Sequence, residues 1–289
     1  LMGEAGFDAL LFTTEPEVRY YTGYLTRFWE SPTRPWFLIL PRMGKPVAVI
    51  PGIGAELMGR TWIDDIRTWR APDLKDDGVS LLAETLRELS GDKARIGVPM
   101  GHETHLRMPL GDFFRLQRML PEVLFEDATA IVRTQQQVKS EAEIARIAHA
   151  CQVASGVFEA MDAIARPGKA LDAVFRDFQA ALLGGGADWV PYVAGGAGPG
   201  GYGDVISPAC GDPLKAGDVL MLDTGAVFDG YFCDFDRNYA IAHADDAARR
   251  GYEVLYAATD AGFAAAKPGA TAADVWRAKG YRGKLTVIP

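Results

Sequence analysis

The amino-acid sequence predicts a mixed α/β protein with two domains, one over residues 1–130 and a second over residues 131–289. The first part alternates short apolar runs with segments of helical spacing, which is the pattern of an α/β domain. The second part opens with a long amphipathic helix and contains a strongly patterned β-hairpin around residue 230. A length of 289 residues accommodates two domains of ordinary size.

The first domain is predicted from the spacing of its apolar residues. Apolar runs bounded by Gly, Pro or charged residues are typical of strands, and such runs occur at 8–12, 36–40, 47–50, 95–98 and 123–125. Helical spacing occurs at 79–89 and 104–120. We interpret the polar stretch 127–137 as a linker. His102 and His105 have no acidic or Cys cluster beside them, so we interpret them as surface or capping residues.

The composition and charge exclude several classes of partner. With 30 Lys and Arg against 38 Asp and Glu, the net charge is −8, which argues against nucleic acid or an anionic membrane as the main partner. No run approaches the ~20 apolar residues of a membrane-spanning helix, and no signal peptide is visible. The cysteines Cys151, Cys210 and Cys233 are few and scattered, which predicts a reducing, cytoplasmic environment and no disulfide framework.

The second domain begins with helices that have clear start and stop signals. Ser140 and Glu143 form a capping-box pattern, in which the hydroxyl accepts a free backbone N–H and the Glu reaches back. An apolar stripe follows at alternating steps of three and four from Ile144 to Met161. His149 lies off this stripe and is expected to be solvated. A Pro-Gly pair then ends the helix, and a second helix follows.

A glycine-rich segment separates these helices from the hairpin. Gly196, Gly198 and Gly201 have the spacing of a dinucleotide-binding fingerprint, but that fingerprint requires a helix that opens immediately after it. The following residues, Tyr202 to Pro208, contain two helix breakers and have no helical period. We therefore interpret the segment as a flexible loop beside an active site rather than a nucleotide site.

The segment 219–241 has the features of a β-hairpin. An apolar run is followed by the turn signal Asp229-Gly230 and then by an alternating run rich in Tyr and Phe. With these two residues as the turn, each residue before the turn faces the residue at the same distance after it. Paired residues, and residues two apart along one strand, lie on the same face of a sheet.

Three aspartates are predicted to share one face of this hairpin. Asp223 faces Asp236 and Gly225 faces Asp234, so all three carboxylates point the same way. Asp223 and Asp234 are diagonal neighbours, roughly 7–8 Å apart at the backbone, which suits two side chains converging on a small cation. A buried, unpaired carboxylate costs several kcal/mol, so the local pattern fits either a metal site or a structural pair. We interpret Arg237 as an ion-pair partner of Asp236 or Asp234 rather than a substrate contact.

The hairpin resembles the metal-binding hairpin of the Xaa-Pro aminopeptidase, prolidase and creatinase family, whose catalytic domain has the pita-bread fold. The resemblance rests on Asp223 and Gly225, a Gly-Tyr turn, a second aspartate at Asp234, and Arg237. In addition, the N-terminal stretch DALLFTTEPEVRYYTGY resembles the start of this family's non-catalytic N-terminal domain. The resemblance implies a creatinase/prolidase-type α/β domain followed by an incomplete pita-bread catalytic domain.

The resemblance also implies a function and a set of metal ligands. Asp223 and Asp234 match the family's two metal-binding aspartates, which hold part of a centre of two divalent ions, usually manganese, cobalt, zinc or iron. The implied activity is metal-assisted hydrolysis of an Xaa-Pro peptide or a related C–N bond in a small substrate. The resemblance further implies a cytoplasmic homodimer. It assigns no catalytic or substrate-binding side chain beyond the two metal ligands.

An internal repeat bears on how much of the catalytic domain this chain contains. Residues 165–176 and 266–277 share an Ala-x-Pro-Gly pattern at an offset of 101, each between two helical segments. The family's remaining ligands are one His and two Glu in the second repeat, but the sequence has no His after His243 and no Glu after Glu253. We therefore expect a truncation or frame change near Ala278 and an inactive, or nearly inactive, fragment.

A second departure from the family pattern concerns the substrate. Family peptidases usually carry a substrate-binding His in the loop before the first metal aspartate, whereas residues 172–223 contain none. A hydrolase of a small non-peptide amide or amidine is therefore an alternative. The alternative from a different class is a metal-free binding protein on the same scaffold, and the metal content of the full-length protein separates the two.

Overall fold

The computed structural model describes residues 1–280, and the chain forms two compact units, Leu1–Lys139 and Ser140–Pro289. Each unit has its own β-sheet and its own hydrophobic core. The expected truncation or frame change near Ala278 concerns a tail of which residues 281–289 lie outside the described residues.

The first unit is a six-stranded mixed sheet with helices packed on it. Its strands are β1 (Ala9–Phe12), β2 (Phe37–Pro41), β3 (Val47–Pro51), β4 (Asp65–Trp69), β5 (Arg95–Val98) and β6 (Leu124–Asp127). Its α-helices are α1 (Met2–Ala5), α2 (Glu15–Thr22), α3 (Ala55–Met58), α4 (Val79–Ser90), α5 (Leu110–Met119) and α6 (Thr129–Gln137). The strand order is β4-β3-β2-β1-β5-β6, with β2 antiparallel to both of its neighbours and the other pairs parallel.

Both faces of this sheet are buried under helices. On one face, Leu11 of β1 belongs to the same core cluster as Leu82 of α4 and Leu116 of α5. On the other face, Leu10 belongs to a cluster with Val132 of α6. A strand that is buried on both faces has a continuous apolar run rather than an alternating pattern. This is why short apolar runs were sufficient to predict five of the six strands, whereas β4, which has no buried residue, was missed.

The stretch 127–137, expected to be a linker, instead contains helix α6. The helix begins where the carboxylate of Asp127 accepts a hydrogen bond from the backbone N–H of Thr129 at 2.9 Å. Its residue Val132 is buried in the core of the first unit. The polar residues that suggested a linker lie on the exposed side of the helix.

Helix α5 is shorter than the predicted helix over 104–120, because it begins only at Leu110. Pro109 precedes it with an extended backbone, which a proline tolerates just before the first helical turn. The residues before Pro109 form the loop after β5, and His102 and His105 are exposed in this loop. Their position agrees with the interpretation of both as surface residues.

The second unit combines two helical hairpins with antiparallel strands. Its helices are α7 (Glu141–Glu159), α8 (Met161–Ile164), α9 (Leu171–Gly184), α10 (Asp246–Ala265) and α11 (Ala272–Ala278). Its strands are β7 (Val193–Pro199), β8 (Asp218–Thr224), β9 (Val227–Phe228), β10 (Tyr231–Phe232) and β11 (Phe235–Ala240). Strand β8 is central in the sheet β11-β8-β7, and β9 pairs with β10. Helix α7 begins with the predicted capping box of Ser140 and Glu143.

One face of the three-stranded sheet packs against helices α7 and α9. Leu220 and Leu222 of β8 are buried in one cluster with Val157 of α7 and Phe178 of α9. Because successive side chains of a strand alternate between faces, Asp223 lies on the opposite face, where it is only partly buried. The helices therefore build the core behind the sheet, and the carboxylate face is turned away from them.

The glycine-rich segment, expected to be a flexible loop, instead includes edge strand β7. A Cβ atom at Gly195 would overlap the carbonyl oxygen of Met221, and one at Gly196 would overlap the carbonyl oxygen of Asp204. Glycine at these positions lets the backbone of β7 approach both β8 and the loop that follows. A loop, and not a helix, follows β7, as the interpretation against a nucleotide site requires.

The internal repeat predicted from the sequence is present in the backbone. Helix α9 begins at Leu171 and α11 begins at Ala272, which reproduces the offset of 101. Before these helices, Gly168 and Gly269 have φ values of 87° and 89°, in the left-handed region that favours glycine. The two helical hairpins therefore share the same turn.

Helices α10 and α11 expose large apolar side chains. Val254, Tyr256 and Phe263 of α10 and Trp276 of α11 are each more than half exposed. Within residues 1–280, neither of these helices nor any other has the length and apolar composition needed to cross a membrane.

Candidate metal centre

The predicted register of the hairpin is confirmed. Strands β8 and β11 pair antiparallel with Asp223 opposite Asp236, and β9 and β10 continue the same register toward the tip. The tip is a two-residue turn at Asp229 and Gly230, whose φ values of 44° and 75° are both positive. Such a turn matches the right-handed twist of the flanking strands, and it fixes which residues share a face.

The ladder is interrupted where Gly225 lies beside Cys233 and Asp234. The backbone is so close here that a Cβ atom at Gly225 would overlap the carbonyl oxygen of Cys233. The N–H of Cys233 still donates to the carbonyl oxygen of Ala226 at 3.1 Å. Asp234 therefore lies between two short ladders and not in the regular pair with Gly225 that the sequence suggested. Glycine is required here because the two backbones approach closely.

The carboxylates of Asp223 and Asp234 converge on one hydroxyl group. The Oη atom of Tyr192 lies 3.3 Å from Oδ1 of Asp223 and 2.9 Å from Oδ1 of Asp234. A tyrosine hydroxyl has one hydrogen, so the two carboxylates share a single donor. Tyr192 is itself held by its carbonyl oxygen, which accepts a hydrogen bond from Oγ1 of Thr224 at 2.6 Å. The two acidic side chains thus lie on the same face and point toward one place.

This proximity changes the protonation equilibria of the group. Burial, followed by the negative charge of Asp234, raises the pKa of Asp223, and the hydroxyl of Tyr192 offsets part of this rise. Burial and the hydrogen bond to Asp234 raise the pKa of Tyr192, so its hydroxyl remains a donor at neutral pH. Two carboxylates with one shared donor repel each other, and a cation between them would remove that repulsion.

The third carboxylate, that of Asp236, lies on the same face directly opposite Asp223 and is exposed. Although the residue as a whole is exposed, reduced hydration of its carboxylate and then the charge of Asp223 raise the pKa of Asp236, whereas the positive charge of Arg237 lowers it. All three aspartates predicted to share a face therefore do so. The hydrogen bonds of Tyr192 distinguish the pair of Asp223 and Asp234 from Asp236.

The expectation that Arg237 forms an ion pair with Asp236 or Asp234 is wrong. The guanidinium group lies over the ring of Phe235, 4.8 Å from its centroid, and 5.9 Å from the ring centroid of Phe158 on α7. One of its nitrogens donates to the backbone carbonyl oxygen of Asp236 at 2.8 Å. Because adjacent side chains alternate, Arg237 is on the helix side of the strand, where these contacts attach β11 to α7.

Helix α7 also holds the tip of the hairpin. Arg146 forms an ion pair with Asp229 in the turn. His149, which was expected to be solvated, is half-buried against Phe228, with 4.0 Å between the ring centroids. The expectation failed because it was based on the apolar stripe of α7. That stripe indicates which residues face the core, but it does not indicate which residues contact the hairpin beside the helix. These contacts limit the movement of the strands that carry the aspartates.

The donor atoms of this site fit a divalent cation only in part. Carboxylate oxygens suit hard divalent ions, and the pair of Asp223 and Asp234 presents two of them toward one place. However, no group of three or more His, Cys, Asp or Glu side chains within residues 1–280 is arranged to hold a metal ion. The chemistry of the donors therefore fits a metal ion, whereas their number among the described residues is too small for a closed site.

Sequence reasoning did not single out Tyr192. It lies 31 residues before Asp223, in an irregular segment just before β7, so neither strand periodicity nor a known motif marks it. The one feature of the sequence that could indicate Tyr192 is its position, directly after Pro191 and directly before a glycine-rich strand.

Two family models match the chain. The model described as "Creatinase/Prolidase N-terminal domain" matches residues 1–138, and the model described as "Metallopeptidase family M24" matches residues 145–279. Together they span nearly the whole chain. The chain belongs to metallopeptidase family M24. Its first unit is the creatinase/prolidase-type domain, and its second unit belongs to the pita-bread fold of this family.

Relatives of this M24 chain include peptidases and a creatinase. The protein named "Probable dipeptidase PepE" of Mycobacterium bovis is 27% identical over 284 residues, which cover 94% of this chain and 69% of the relative. The creatinase of Bacillus sp. strain B-0618 is 24% identical over 290 residues, which cover 95% of this chain and 66% of the relative.

Solved structures of family members have the same fold as this M24 chain. Dipeptidase PepE from Mycobacterium ulcerans is 28% identical, with a TM-score of 0.76 over 96% of this chain and 72% of that structure. The prolidase from Pyrococcus horikoshii OT3 has a TM-score of 0.80 over 96% of this chain and 73% of that structure. At 19% identity, the second similarity concerns the fold alone.

Proposed function

We propose that this protein is a metal-dependent hydrolase and that Asp223 and Asp234 bind its divalent metal. The observation that supports this most directly is the shared hydroxyl of Tyr192, at 3.3 Å and 2.9 Å from the two carboxylates. Two negatively charged carboxylates that contact the same hydroxyl repel each other, and a bound cation would stabilise both of them. Manganese, cobalt, zinc and iron are the candidate ions, in a centre of two ions as the family resemblance implies, with manganese as the first to test.

The residues of this chain would prepare the site before a metal ion arrives. Thr224 fixes the backbone of Tyr192, and the Tyr192 hydroxyl holds the two carboxylates together. Gly225 allows the close backbone approach that places Asp234 beside Asp223. When bound, a divalent ion supplies an activated water and polarises the carbonyl group of the substrate. The protein would therefore contribute position and charge, and the metal ion would contribute the reactive chemistry.

We propose a small peptide as the substrate, since relatives are named as dipeptidases. Because residues 172–223 contain no His, a small amide or amidine is the alternative substrate and should be tested beside an Xaa-Pro dipeptide. The relative named creatinase supports the inclusion of the amide or amidine. We further propose that the protein acts in the cytoplasm as a homodimer, as the family resemblance implies.

The proposed metal ligands are tested by Mn²⁺ titration of the 289-residue chain with calorimetry or electron paramagnetic resonance. We expect Asp234→Asn to weaken Mn²⁺ binding by about tenfold or more, because it removes a ligand. The matched control is Asp236→Asn, which removes the same charge from the same face and should weaken binding by less than about threefold. An equal loss in both variants, or no Mn²⁺ binding by the unmodified chain, would contradict the assignment.

The same protein serves to measure turnover. We expect little or no hydrolysis of an Xaa-Pro dipeptide by the 289-residue chain, because two carboxylates are too few ligands for two divalent ions and the described residues offer no third at this place. Mn²⁺-dependent turnover that disappears in Asp234→Asn would contradict the expected inactivity and at the same time support the metal ligands.

A further inference from the structure

A second row of side chains crosses the three-stranded sheet beside the row of Asp223 and Asp236. Met221 of β8 pairs with Gly196 of β7 on one side and with Asn238 of β11 on the other. Paired residues share a face of the sheet, and so do residues two apart along a strand. Because Met221 is two residues from Asp223, this row lies on the carboxylate face and directly beside the proposed metal ligand.

Met221 is buried, although it lies on the face that the helices do not cover. Its exposed fraction is only 5%. The core cluster of α7 and α9 contains Leu220 and Leu222 of the same strand, and Met221 points away from that cluster. Its partner on β7, Gly196, has no side chain that could cover it. Other atoms on the carboxylate face must therefore shield this thioether from water.

The segment after β7 folds back along that strand, and we call residues 200–206 the strap. The backbone N–H of Gly195 donates to the carbonyl oxygen of Val205 at 2.9 Å. A Cβ atom at Gly196, which would point to the carboxylate face, would overlap the carbonyl oxygen of Asp204. Gly200 begins the strap with a φ value of 72°, in the region that favours glycine. The strap therefore lies on the carboxylate face, in the room that the glycines leave.

Tyr202 carries the strap across the sheet. A Cβ atom at Gly196 would lie 3.3 Å from the Cβ atom of Tyr202, so the tyrosine starts above β7. Its hydroxyl donates a hydrogen bond to Oδ1 of Asn238 on β11 at 2.7 Å. Since Gly196, Met221 and Asn238 form one row, a side chain that joins the two outer strands passes over Met221. The ring of Tyr202 therefore accounts for the burial of Met221.

We propose that Tyr202 is a specificity-determining residue whose ring, latched to Asn238, covers Met221 and closes one side of the space in front of the carboxylates. Tyr202 is 37% exposed and Ile206 is 88% exposed, so the strap adds little to the core, and its opening costs much less than unfolding. Opening uncovers an apolar thioether beside Asp223 and gives a larger substrate group more room. The limit on substrate size rests on the proposed function, whereas the latch over Met221 does not.

The latch is tested without a metal ion by treating the 289-residue protein with hydrogen peroxide and following the sulfoxide of each methionine by mass spectrometry. In the unmodified protein, Met221 should react far more slowly than Met43, which is 83% exposed. Tyr202→Ala removes the ring and should speed the oxidation of Met221 by about tenfold. Tyr202→Phe removes only the hydrogen bond and should speed this oxidation by about threefold. Met161, in the core of the second unit, should stay unreacted in every variant.

A pair of glycine substitutions displaces the strap without changing Tyr202. Gly196→Ala places a methyl group 2.4 Å from the carbonyl oxygen of Asp204, so the strap must move away from β7 and the oxidation of Met221 should become several-fold faster. The matched control Gly203→Ala lies on the strap itself, has open space around the added carbon, and should leave the oxidation of Met221 unchanged.

Three results would refute the latch. Unchanged oxidation of Met221 in both Tyr202→Ala and Gly196→Ala would show that the strap does not cover this residue. Equal rates in Tyr202→Phe and the unmodified protein would show that the hydrogen bond to Asn238 does not hold the strap. Oxidation of Met161 at the same rate as Met221 in Tyr202→Phe, which keeps the ring, would show that the whole unit opens and not the strap.

The limit on substrate size is tested on the Mn²⁺-loaded protein, with water-proton relaxation as the measure of ligand binding at the ion. We expect Tyr202→Ala to bind a Phe-Pro dipeptide about tenfold more tightly than the unmodified protein does, and an Ala-Pro dipeptide within about threefold. Equal changes for the two dipeptides would refute the limit. Binding of Mn²⁺ without either dipeptide would refute both the peptide substrate and the limit. Failure to bind Mn²⁺ would refute the proposed function and leave the latch in place.

Discussion

Replacement of Asp223 by Asn should make the metal-free protein more stable and weaken its binding of metal ions. The two side chains have nearly the same shape, so Asp223→Asn removes mainly the charge. Burial and the charge of Asp234 raise the pKa of Asp223, which means that its ionised form is less favourable in the folded chain than in the unfolded chain. Two like charges about 4 Å apart repel each other by about 1 kcal/mol in water and by more where water is partly excluded, so we expect Asp223→Asn to raise the free energy of unfolding by at least roughly 1 kcal/mol at pH 7.

The pH dependence of this gain has a definite sign. Well below the unfolded pKa of about 4, Asp223 is protonated in both states and contributes no repulsion. The penalty on the folded state develops as the pH rises through the unfolded pKa toward the raised folded pKa, and it is fully present at neutral pH. Urea denaturation should therefore show a difference between Asp223→Asn and the unmodified protein at pH 7 that largely disappears near pH 3.

A double-mutant cycle isolates the interaction of the two carboxylates. Repulsion requires both charges, so Asp223→Asn and Asp234→Asn combined should gain less stability than the sum of the single variants, by about 1 kcal/mol. If Asp223→Asn lost stability at pH 7, or if its effect were the same at both pH values, the repulsion inferred from the geometry would be refuted. Strictly additive single variants would lead to the same conclusion.

Two further substitutions test the geometry around this pair. Gly225→Ala should destabilise the protein by several kcal/mol in urea denaturation, because the added methyl group overlaps the carbonyl oxygen of Cys233. The control Gly184→Ala has open space around the added carbon and should be close to neutral. Equal effects of the two substitutions would count against the close backbone approach at Gly225. Tyr192→Phe removes the shared donor from a residue that is 37% exposed, so it should lower the free energy of unfolding by about 1 kcal/mol at pH 7. It should also raise the pKa of Asp223, which an NMR titration measures. An unchanged titration would show that the hydroxyl does not act on this carboxylate.

The hairpin was predictable because local chemistry determines it. Asp229 and Gly230 specify a two-residue turn, and such a turn sets the register without any information from the rest of the chain. Alternation along the strands then assigns Asp223, Asp234 and Asp236 to one face. The internal repeat was predictable for the same reason, since its Pro-Gly turn needs a left-handed glycine in both copies.

The features that sequence reasoning missed depend on contacts between distant residues. Tyr192 approaches the aspartates only because β7 pairs with β8, and the glycines of β7 gave no strand signal. Helix α6 was mistaken for a linker because its polar residues outnumber the buried ones, and the core that accepts Val132 is formed by residues far away in the sequence. His149 and Arg237 likewise have partners that only the packing of α7 against the hairpin provides.

Because the turn at Asp229 and Gly230 is tight, this segment should tolerate changes of residue type better than changes of its length. One additional residue between Gly225 and Cys233 would invert the side-chain order of one strand and direct Asp234 toward the helical layer, with the thiol of Cys233 in its former place and Phe235 in the former place of Asp236. Substitutions at the tip can be accepted where positive φ is kept, but a single insertion or deletion changes which chemical groups meet the solvent. Distant homologues that conserve this surface should therefore align here without gaps.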